Sequence, residues 1–334
     1  MNRSDVTTPI SRRDALKWTA ASAAAGALSL QGVAPARADI AQAAASQQGA
    51  GFYKTAVGDV ELIIVSDGGF MFNPPEAIFT GNVGKEAVHQ ALAEEFILPG
   101  DVVSHVNTLL IRTKQDLILV DTGCGSSMGP NAGKLSQNLA SAGIKPGDIT
   151  AVLLTHAHPD HLGGLVGEDL FPNAERLVSR TEFDFWTADN PDFGKLALPA
   201  EAKAGMARAA AGVLKKGNWT TFESEQEIRP KVRAVPAPGH TPGHTTLLID
   251  GGGNNQLHYI TDAAIHYAIN LPHPDYHVAF DRDPVQASQT RRQLLDRAAA
   301  DKLLVSGAHL PFPAVGHVKK QGEGFAWVPA VWKW

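Results

Sequence analysis

The chain has 334 residues, of which 44% are hydrophobic and 19% are charged, so it can bury a sizeable core and has an ordinary globular composition. The net charge is −5, and an acidic chain repels nucleic acid and anionic lipid, so neither is expected as a partner. Cys124 is the single cysteine, which excludes an intramolecular disulfide and a cysteine-rich zinc site.

The first 38 residues have the organisation of an export signal. Two arginines at residues 12–13 precede a weakly apolar, alanine-rich run at residues 18–30, and Ala-Arg-Ala follows at residues 36–38. The paired arginines resemble those of twin-arginine signals, although Ala15 stands where a bulky apolar residue is usual. We predict cleavage after Ala38 and a periplasmic product. The mature protein is not expected to insert into a membrane, because the apolar run is too short and too weakly hydrophobic for an anchor.

Short apolar runs alternate with amphipathic segments in the rest of the chain. The predicted strands are Val60–Val65, Thr108–Arg112, Leu117–Val120, Ala151–Leu154, Val232–Val235, Thr245–Ile249, Leu257–Ile260 and Leu303–Val305. The predicted helices are Ala132–Ala142, Ala202–Leu214 and Pro284–Ala300, the last one capped by Asp283. Several strands are apolar on successive residues, as expected when both faces are buried. No linker is visible, so residues 39–334 are predicted to form one α/β domain with sheets sandwiched between helices.

Four residues of the types that bind metal ions follow the predicted strand that ends at Leu154. Side chains two residues apart in an extended chain point to the same side, so His156 and His158 can converge on one ion. The turn that follows brings Asp160 and His161 to a second position. The spacing predicts a metal centre. The stretch at residues 155–164 reads Thr-His-Ala-His-Pro-Asp-His-Leu-Gly-Gly.

Three further candidate ligands each come directly after a predicted strand. His240 lies in the sequence Ala-Pro-Gly-His-Thr-Pro-Gly-His, and Asp262 and His309 each follow an apolar run. Loops at strand ends present ligands on a rigid scaffold. His244, the second histidine of the first sequence, is predicted to be a turn residue beside the site.

These residues resemble the metal site of the metallo-β-lactamase superfamily, over residues 52–334. The resemblance implies an αββα sandwich, with two mixed sheets between helical layers, and two metal ions. It implies that one ion is held by His156, His158 and His240, that the other is held by Asp160, His161 and His309, and that Asp262 bridges them. It also implies that Asp121 orients a ligating imidazole from behind. Imidazole and carboxylate without thiolate favour zinc, with manganese, iron or cobalt as alternatives.

Such a site is suited to hydrolysis. Two ions can share a water, lower its pKa and stabilise the anion that forms as hydroxide attacks. The predicted reaction is attack by metal-bound hydroxide, in which Asp160 also orients the water or carries its proton. Redox chemistry is disfavoured, because the di-iron members of the superfamily normally carry an acidic residue at the position of His158 and an appended flavin domain. A non-catalytic metal-binding scaffold is the other alternative.

The residues also resemble methyl parathion hydrolases and their lactonase-like relatives. This resemblance rests on the metal motif and on residues 119–123, 184–186, 239–245 and 308–317. It implies a hydrophobic substrate pocket, for which Phe70, Met128 and Trp186 are the candidate residues; plain core packing is the alternative for Trp186.

Two departures bear on the substrate. Met128 lies near a position that is aromatic in the phosphotriesterase, and Phe193 is the single aromatic residue at 193–205. The pocket is therefore predicted to be poor in aromatic rings. We expect a small neutral substrate, either a lactone or an aryl ester, with a phosphotriester as the alternative.

The end of the chain is rich in aromatic residues, namely Phe325, Trp327, Trp332 and Trp334. Such a group either closes the core of the domain or covers the interface of a homodimer. The sequence leaves both alternatives open.

Overall fold

Seven strands pair in chain order to form the first of two sheets. They are β1 (Phe52–Val57), β2 (Val60–Met71), β3 (Val103–Arg112), β4 (Leu117–Val120), β5 (Ala151–Leu154), β6 (Glu175–Ser179) and β7 (Trp219–Phe222). Strands β1 to β4 are antiparallel neighbours, whereas β4 to β7 are parallel and end at the same edge of the sheet. The computed structural model describes residues 49–167, 170–223 and 225–332, so the predicted signal and the cleavage site after Ala38 lie outside the described residues.

The second sheet contains the later strands, which also pair in chain order. They are β8 (Gln226–Arg229), β9 (Val232–Pro236), β10 (Thr245–Asp250), β11 (Gln256–Tyr259), β12 (Leu304–Ser306), β13 (Val315–Gln321) and β14 (Gly324–Pro329). Strands β11 and β12 are parallel, and the other neighbours are antiparallel. Because β9 and β11 are both antiparallel to β10, strands β9, β11 and β12 run in one direction and end at a common edge.

The described residues also form eight helices. They are α1 (Glu76–Phe79), α2 (Lys85–Glu94), α3 (Leu135–Ser141), α4 (Pro159–Leu162), α5 (Arg180–Thr187), α6 (Ala200–Leu214), α7 (Tyr267–Asn270) and α8 (Pro284–Ala300). Side chains of α3, α5 and α6 pack on the first sheet, and side chains of α8 pack on the second.

Alternate residues of the strands enter different cores. Leu62 and Ile64 of β2 pack between the sheets with Ala234 and Leu247, whereas Ile63 points to the helices on the first sheet. The central strands are therefore buried on both faces, as predicted. The layer order of helices, sheet, sheet and helices confirms the predicted αββα sandwich.

The predicted elements are present, with shifted ends. Helix α8 begins as predicted, because the side chain of Asp283 caps it. The helix predicted from Ala132 begins at Leu135, because the backbone N–H groups of Gly133 and Leu135 donate to the buried carboxylate of Asp67. Strands β1, β6, β7, β8, β13 and β14 were not predicted. They lie at or next to the sheet edges. Charged residues interrupt the apolar pattern in β1, β6, β8 and β13, two threonines interrupt it in β7, and a glycine and a proline flank it in β14.

The aromatic end of the chain divides into two parts. Phe325 is fully buried against the second sheet and Trp327 packs against the same core, so these two residues close the core. Trp332 is 68% exposed. Trp334 lies outside the described residues.

Two glycines permit close packing directly after the predicted metal motif. A Cβ at Gly163 would overlap the backbone of Cys124, and a Cβ at Gly164 would overlap the carbonyl of Thr122. The carbonyl of His161 accepts hydrogen bonds from the N–H (2.6 Å) and Oγ1 (2.9 Å) of Thr122. The loop after β4 and helix α4 therefore contact each other through their backbones.

Replacement of Gly163 by alanine is expected to lower the free energy of unfolding by about 1–3 kcal/mol, because the backbone of Gly123 and Cys124 resists the added methyl group. Gly212→Ala is the matched control. Gly212 lies within α6 with open space around its Cβ, so alanine there should stabilise the protein by roughly 0.5–1 kcal/mol. Urea denaturation followed by circular dichroism measures both effects. Unchanged stability of Gly163→Ala would contradict the close packing.

Candidate metal centre

Strand ends from both sheets bring the seven predicted ligands to one place. The seven residues are His156, His158, Asp160, His161, His240, Asp262 and His309. The segment after β5 carries the first four, and the loops after β9, β11 and β12 carry the last three in that order. Six of the seven are buried, and Asp160 is the most accessible, with a side chain that is 12% exposed.

One group consists of His156, His158 and His240, whose candidate ligand atoms lie within 4.8 Å of one another. Nδ1 of His158 is 2.9 Å from Nε2 of His240. Nδ1 of His240 donates to Oδ1 of Asp281 at 2.8 Å, so in the neutral ring Nε2 presents a lone pair toward His158. Nitrogen lone pairs that converge in this way can be satisfied by a cation.

The second group consists of Asp160, His161 and His309, again with candidate ligand atoms within 4.8 Å of one another. Asp262 lies between the two groups. Its Oδ1 is 3.1 Å from Nε2 of His161, and its Oδ2 is 3.1 Å from Nε2 of His309 and 3.2 Å from Nε2 of His240. This one carboxylate therefore contacts histidines of both groups.

Buried polar atoms in the centre lack partners. Nε2 of His156, Nε2 of His161 and Oδ1 of Asp262 are buried without a hydrogen bond, although the last two atoms lie 3.1 Å apart. Such atoms are costly unless they bind something, and imidazole nitrogen and carboxylate oxygen are common ligands of divalent metal ions. The donor set and its orphaned atoms therefore fit a divalent metal site.

The electrostatics of the centre also favour bound positive charge. Burial opposes protonation of His240, but hydrogen bonds and charges from Asp262 and Asp281 raise its pKa to about 9. Burial opposes ionisation of Asp262 as well, yet His161 and His309 hold its pKa well below the usual range. The carboxylates thus attract positive charge, which either protonated imidazoles or metal ions can supply.

Asp121 lies directly behind His161, at the place predicted for an orienting residue. Its Oδ2 accepts a hydrogen bond from Nδ1 of His161 at 2.8 Å. Thr155 donates to the same carboxylate through its N–H and its Oγ1, both at 2.8 Å. The ring of His161 is therefore fixed with Nε2 directed at the centre.

Asp281 takes the corresponding position behind His240, and sequence reasoning missed it. Its second oxygen, Oδ2, is 3.4 Å from Nη2 of Arg291, and both residues are buried. Neither residue belongs to a motif. One signal was present, because Arg291 shares the apolar face of α8 with Leu294 and Leu295, and a charge on such a face indicates a buried partner.

Trp186 is not in the wall of the cavity, contrary to the prediction. It is 1% exposed and packs in the core on the first sheet, where its indole N–H donates to Oε1 of the buried Glu182 at 2.6 Å. Glu182, which sequence reasoning also missed, accepts the N–H of Ala157 (2.9 Å), Oγ1 of Thr241 (2.7 Å) and the N–H of Gly243 (3.0 Å). It therefore joins the two loops that carry the first group of histidines.

His244 lies beside the centre with both ring nitrogens engaged. Its Nδ1 donates to the carbonyl of Ala237 at 2.9 Å, and its Nε2 accepts from Oγ1 of Thr261. Burial lowers the pKa of His244 to about 3, so the ring is neutral. These contacts agree with the predicted role of a turn residue beside the site.

A cavity of about 170 Å³ opens onto the centre. Its apolar lining consists of Phe70, Phe72, Met128, Pro159, Leu198, Met206, Ile265 and Phe280. The structure thus places two predicted pocket residues, Phe70 and Met128, in the wall. The expectation of few aromatic rings is wrong, because Phe72 and Phe280 come from segments that no sequence pattern connects with the pocket.

Residues 101–309, more than half of the chain, match the metallo-beta-lactamase superfamily, and the protein belongs to this superfamily. Residues 9–29 match the signal sequence of the twin-arginine translocation pathway, which implies export. Within the part of the chain that the structure describes, no helix is long and apolar enough to cross a membrane.

Among solved structures, the chain is similar to AidC, a dizinc quorum-quenching lactonase in complex with the product N-hexanoyl-L-homoserine. The two are 33% identical, with a TM-score of 0.80 over 85% of this chain and 98% of that chain. It is also similar to the hydrolase AbOPH of the beta-lactamase superfamily, at 28% identity and a TM-score of 0.77 over 86% of this chain and 100% of that chain.

Among curated relatives, an N-acyl homoserine lactonase from Bacillus sp. is 27% identical over 174 residues, which are 46% of this chain and 62% of that protein. The chain thus matches less than two thirds of the length of this relative.

Glu182→Gln is expected to destabilise the protein by about 1–3 kcal/mol, because the amide of glutamine turns an N–H₂ group toward donors that need an acceptor. Asp184→Asn, on the exposed face of the same helix α5, is the matched control and should change stability by less than about 0.5 kcal/mol. Urea denaturation of both variants gives the comparison. Equal stability of the two variants would show that Glu182 does not join the loops.

Proposed function

We propose that the protein is a dinuclear zinc hydrolase that opens neutral lactones, with N-acyl homoserine lactones as the substrate class. The observation that carries the proposal is the position of Asp262, which contacts imidazoles of both groups beside an apolar cavity. The similarity to a dizinc lactonase over 98% of that chain supports the metal and the substrate class.

In this proposal the metal ligands are those implied by the resemblance. His156, His158 and His240 would hold one ion, Asp160, His161 and His309 would hold the other, and Asp262 is placed beside both groups. Donor atoms limited to nitrogen and oxygen suit zinc first, with manganese, iron or cobalt as alternatives. When bound, two such ions lower the pKa of a water and stabilise the negative charge that develops on the attacked oxygen.

The residues of the chain then have separate tasks. Asp121 and Asp281 keep the rings of His161 and His240 directed at the centre. Asp160 lines the cavity and is the more exposed of the two candidate carboxylate ligands, so it is the group placed to orient the attacking water and to take its proton. The apolar wall excludes bulk water from the reacting ester.

The cavity wall favours a neutral substrate with an apolar acyl group. Among the described residues that line the cavity, none is a lysine or an arginine. An anionic substrate would therefore find no positively charged side chain there apart from the groups of the metal centre. Met128, Met206 and Ile265 offer flexible aliphatic surface for an acyl chain.

A phosphotriester is the second candidate substrate. Phe70, Phe72 and Phe280 in the cavity wall fit the aryl leaving group of such a compound. The same charge stabilisation serves a phosphoryl oxygen and a carbonyl oxygen.

We also propose that the mature enzyme acts in the periplasm after cleavage following Ala38. The twin-arginine match at residues 9–29 supports export. N-terminal sequencing of the exported protein is expected to begin at Asp39, and a product that keeps the first 38 residues would contradict this site.

The zinc-loaded protein is expected to hydrolyse N-hexanoyl homoserine lactone with a larger kcat/KM than a methyl aryl phosphotriester, measured side by side. Asp262→Asn should lower kcat/KM for the lactone by roughly 10³-fold, since metal-assisted charge stabilisation supplies several kcal/mol at about 1.4 kcal/mol per tenfold. Far-UV circular dichroism controls for folding. A larger kcat/KM for the phosphotriester would replace the substrate assignment, and full activity of Asp262→Asn would exclude the metal mechanism.

A further inference from the structure

Arg291 is a fully buried cation in the middle of α8. Its Nε donates to the carbonyl of Ala263 at 2.6 Å, and its Nη1 donates to the carbonyls of Pro274 (2.6 Å) and Tyr276 (3.1 Å). Its Nη2 is 3.4 Å from Oδ2 of Asp281. The planar fork of the guanidinium thus holds three separate pieces of chain at once, which the flexible ammonium of a lysine cannot do.

Two of these contacts reach residues next to the metal centre. Asp281 accepts the hydrogen bond from Nδ1 of His240, and Ala263 directly follows Asp262. On its other side, Asp262 is preceded by Thr261, whose Oγ1 donates to His244. The loop that carries Asp262 is therefore fixed at both flanks, and Arg291 provides one of the two attachments.

A buried ion pair is weak evidence for stability, because desolvation offsets much of the attraction between its charges. Well-packed apolar side chains at both position 281 and position 291 would fill the core as well, but an apolar residue at position 281 could not orient the imidazole of His240. The contacts of Arg291 and Asp281 converge on two of the proposed metal ligands. This convergence points to a task at the metal centre.

We propose that Asp281 and Arg291 are positioning residues that set the affinity of the ion held by His156, His158 and His240. The inference rests on the proposed metal ligands. Asp281 orients the ring of His240 and increases its basicity, and Arg291 keeps Asp281 in place. The corresponding support of the second ion, Asp121 with Thr155, is separate from this pair. His240 and His161 are therefore oriented by separate residues, although Asp262 contacts both groups.

The test is zinc affinity of the full-length mature protein, measured by competition with a chromophoric chelator, together with zinc content after dialysis. Asp281→Asn keeps the shape of the side chain. It is expected to weaken the binding of one zinc ion roughly 10- to 100-fold and to leave the affinity for the other unchanged. Arg291→Lys keeps the positive charge but lacks the planar guanidinium, and it should weaken the binding of the same zinc ion.

Arg292→Lys is the matched control. Arg292 is the next residue of α8, and its partner Asp275 is largely exposed, so this variant should bind both zinc ions as the wild type does. A further readout separates positioning from structural damage, because added zinc should restore kcat/KM to Asp281→Asn if the ion is merely bound more weakly.

Zinc affinities of Asp281→Asn and Arg291→Lys equal to that of Arg292→Lys would overturn the inference. The inference would also be overturned if Asp281→Asn bound two zinc ions in excess zinc and kcat/KM were still not restored. These affinities are measured without a substrate, so a wild type that binds two zinc ions but opens no lactone would count against the proposed function alone.

Discussion

The arrangement of the centre depends on the contacts of one buried carboxylate, that of Asp262. It comes from the second sheet, yet its oxygens lie within 3.7 Å of His156 and His161 from the first sheet and within 3.2 Å of His240 and His309 from the second. A buried carboxylate can be kept only where positive charge or hydrogen bonds compensate for lost hydration. The strand ends of the two sheets must therefore lie side by side at this point. The core that the two sheets share holds them in this position.

Four more buried carboxylates surround the centre, and each is compensated differently. Asp121 faces His161 and Thr155, Asp281 faces His240 and Arg291, and Glu182 and Asp67 rely on N–H and O–H donors alone. Burial raises the pKa of Glu182, and its hydrogen bonds counteract that rise. Glu182 and Asp281 both bind the loop after β9, whereas Asp121 binds Thr155 and His161 and Asp67 binds the start of α3, so several carboxylates share the support of the centre.

The sequence pointed to the seven candidate ligands that the structure brings together, because their spacing is local or follows strand ends. His156, His158, Asp160 and His161 lie within one short motif, and the remaining three each follow an apolar run. Asp281, Arg291 and Glu182 have no such pattern, since their partners are many residues away and their positions depend on how helices pack. The lining of the cavity was predicted least well. Phe72 and Phe280 line the cavity because of tertiary packing. Trp186 lies in the core instead, where its indole N–H donates to Glu182.

The elements that carry the ligands differ from those that shape the cavity. The ligands follow the ends of central strands, where hydrogen bonds to neighbouring strands on both sides restrict movement. Most of the apolar wall comes from other parts of the chain. Met128 and Leu198 lie in loops, Met206 lies in α6, and Ile265 and Phe280 lie in the segment of sequence between β11 and α8. Substitutions in the wall can thus change the shape of the cavity without moving the candidate ligands. Relatives in one superfamily can therefore share a metal centre and accept different substrates, because specificity and metal binding are built on different parts of the chain.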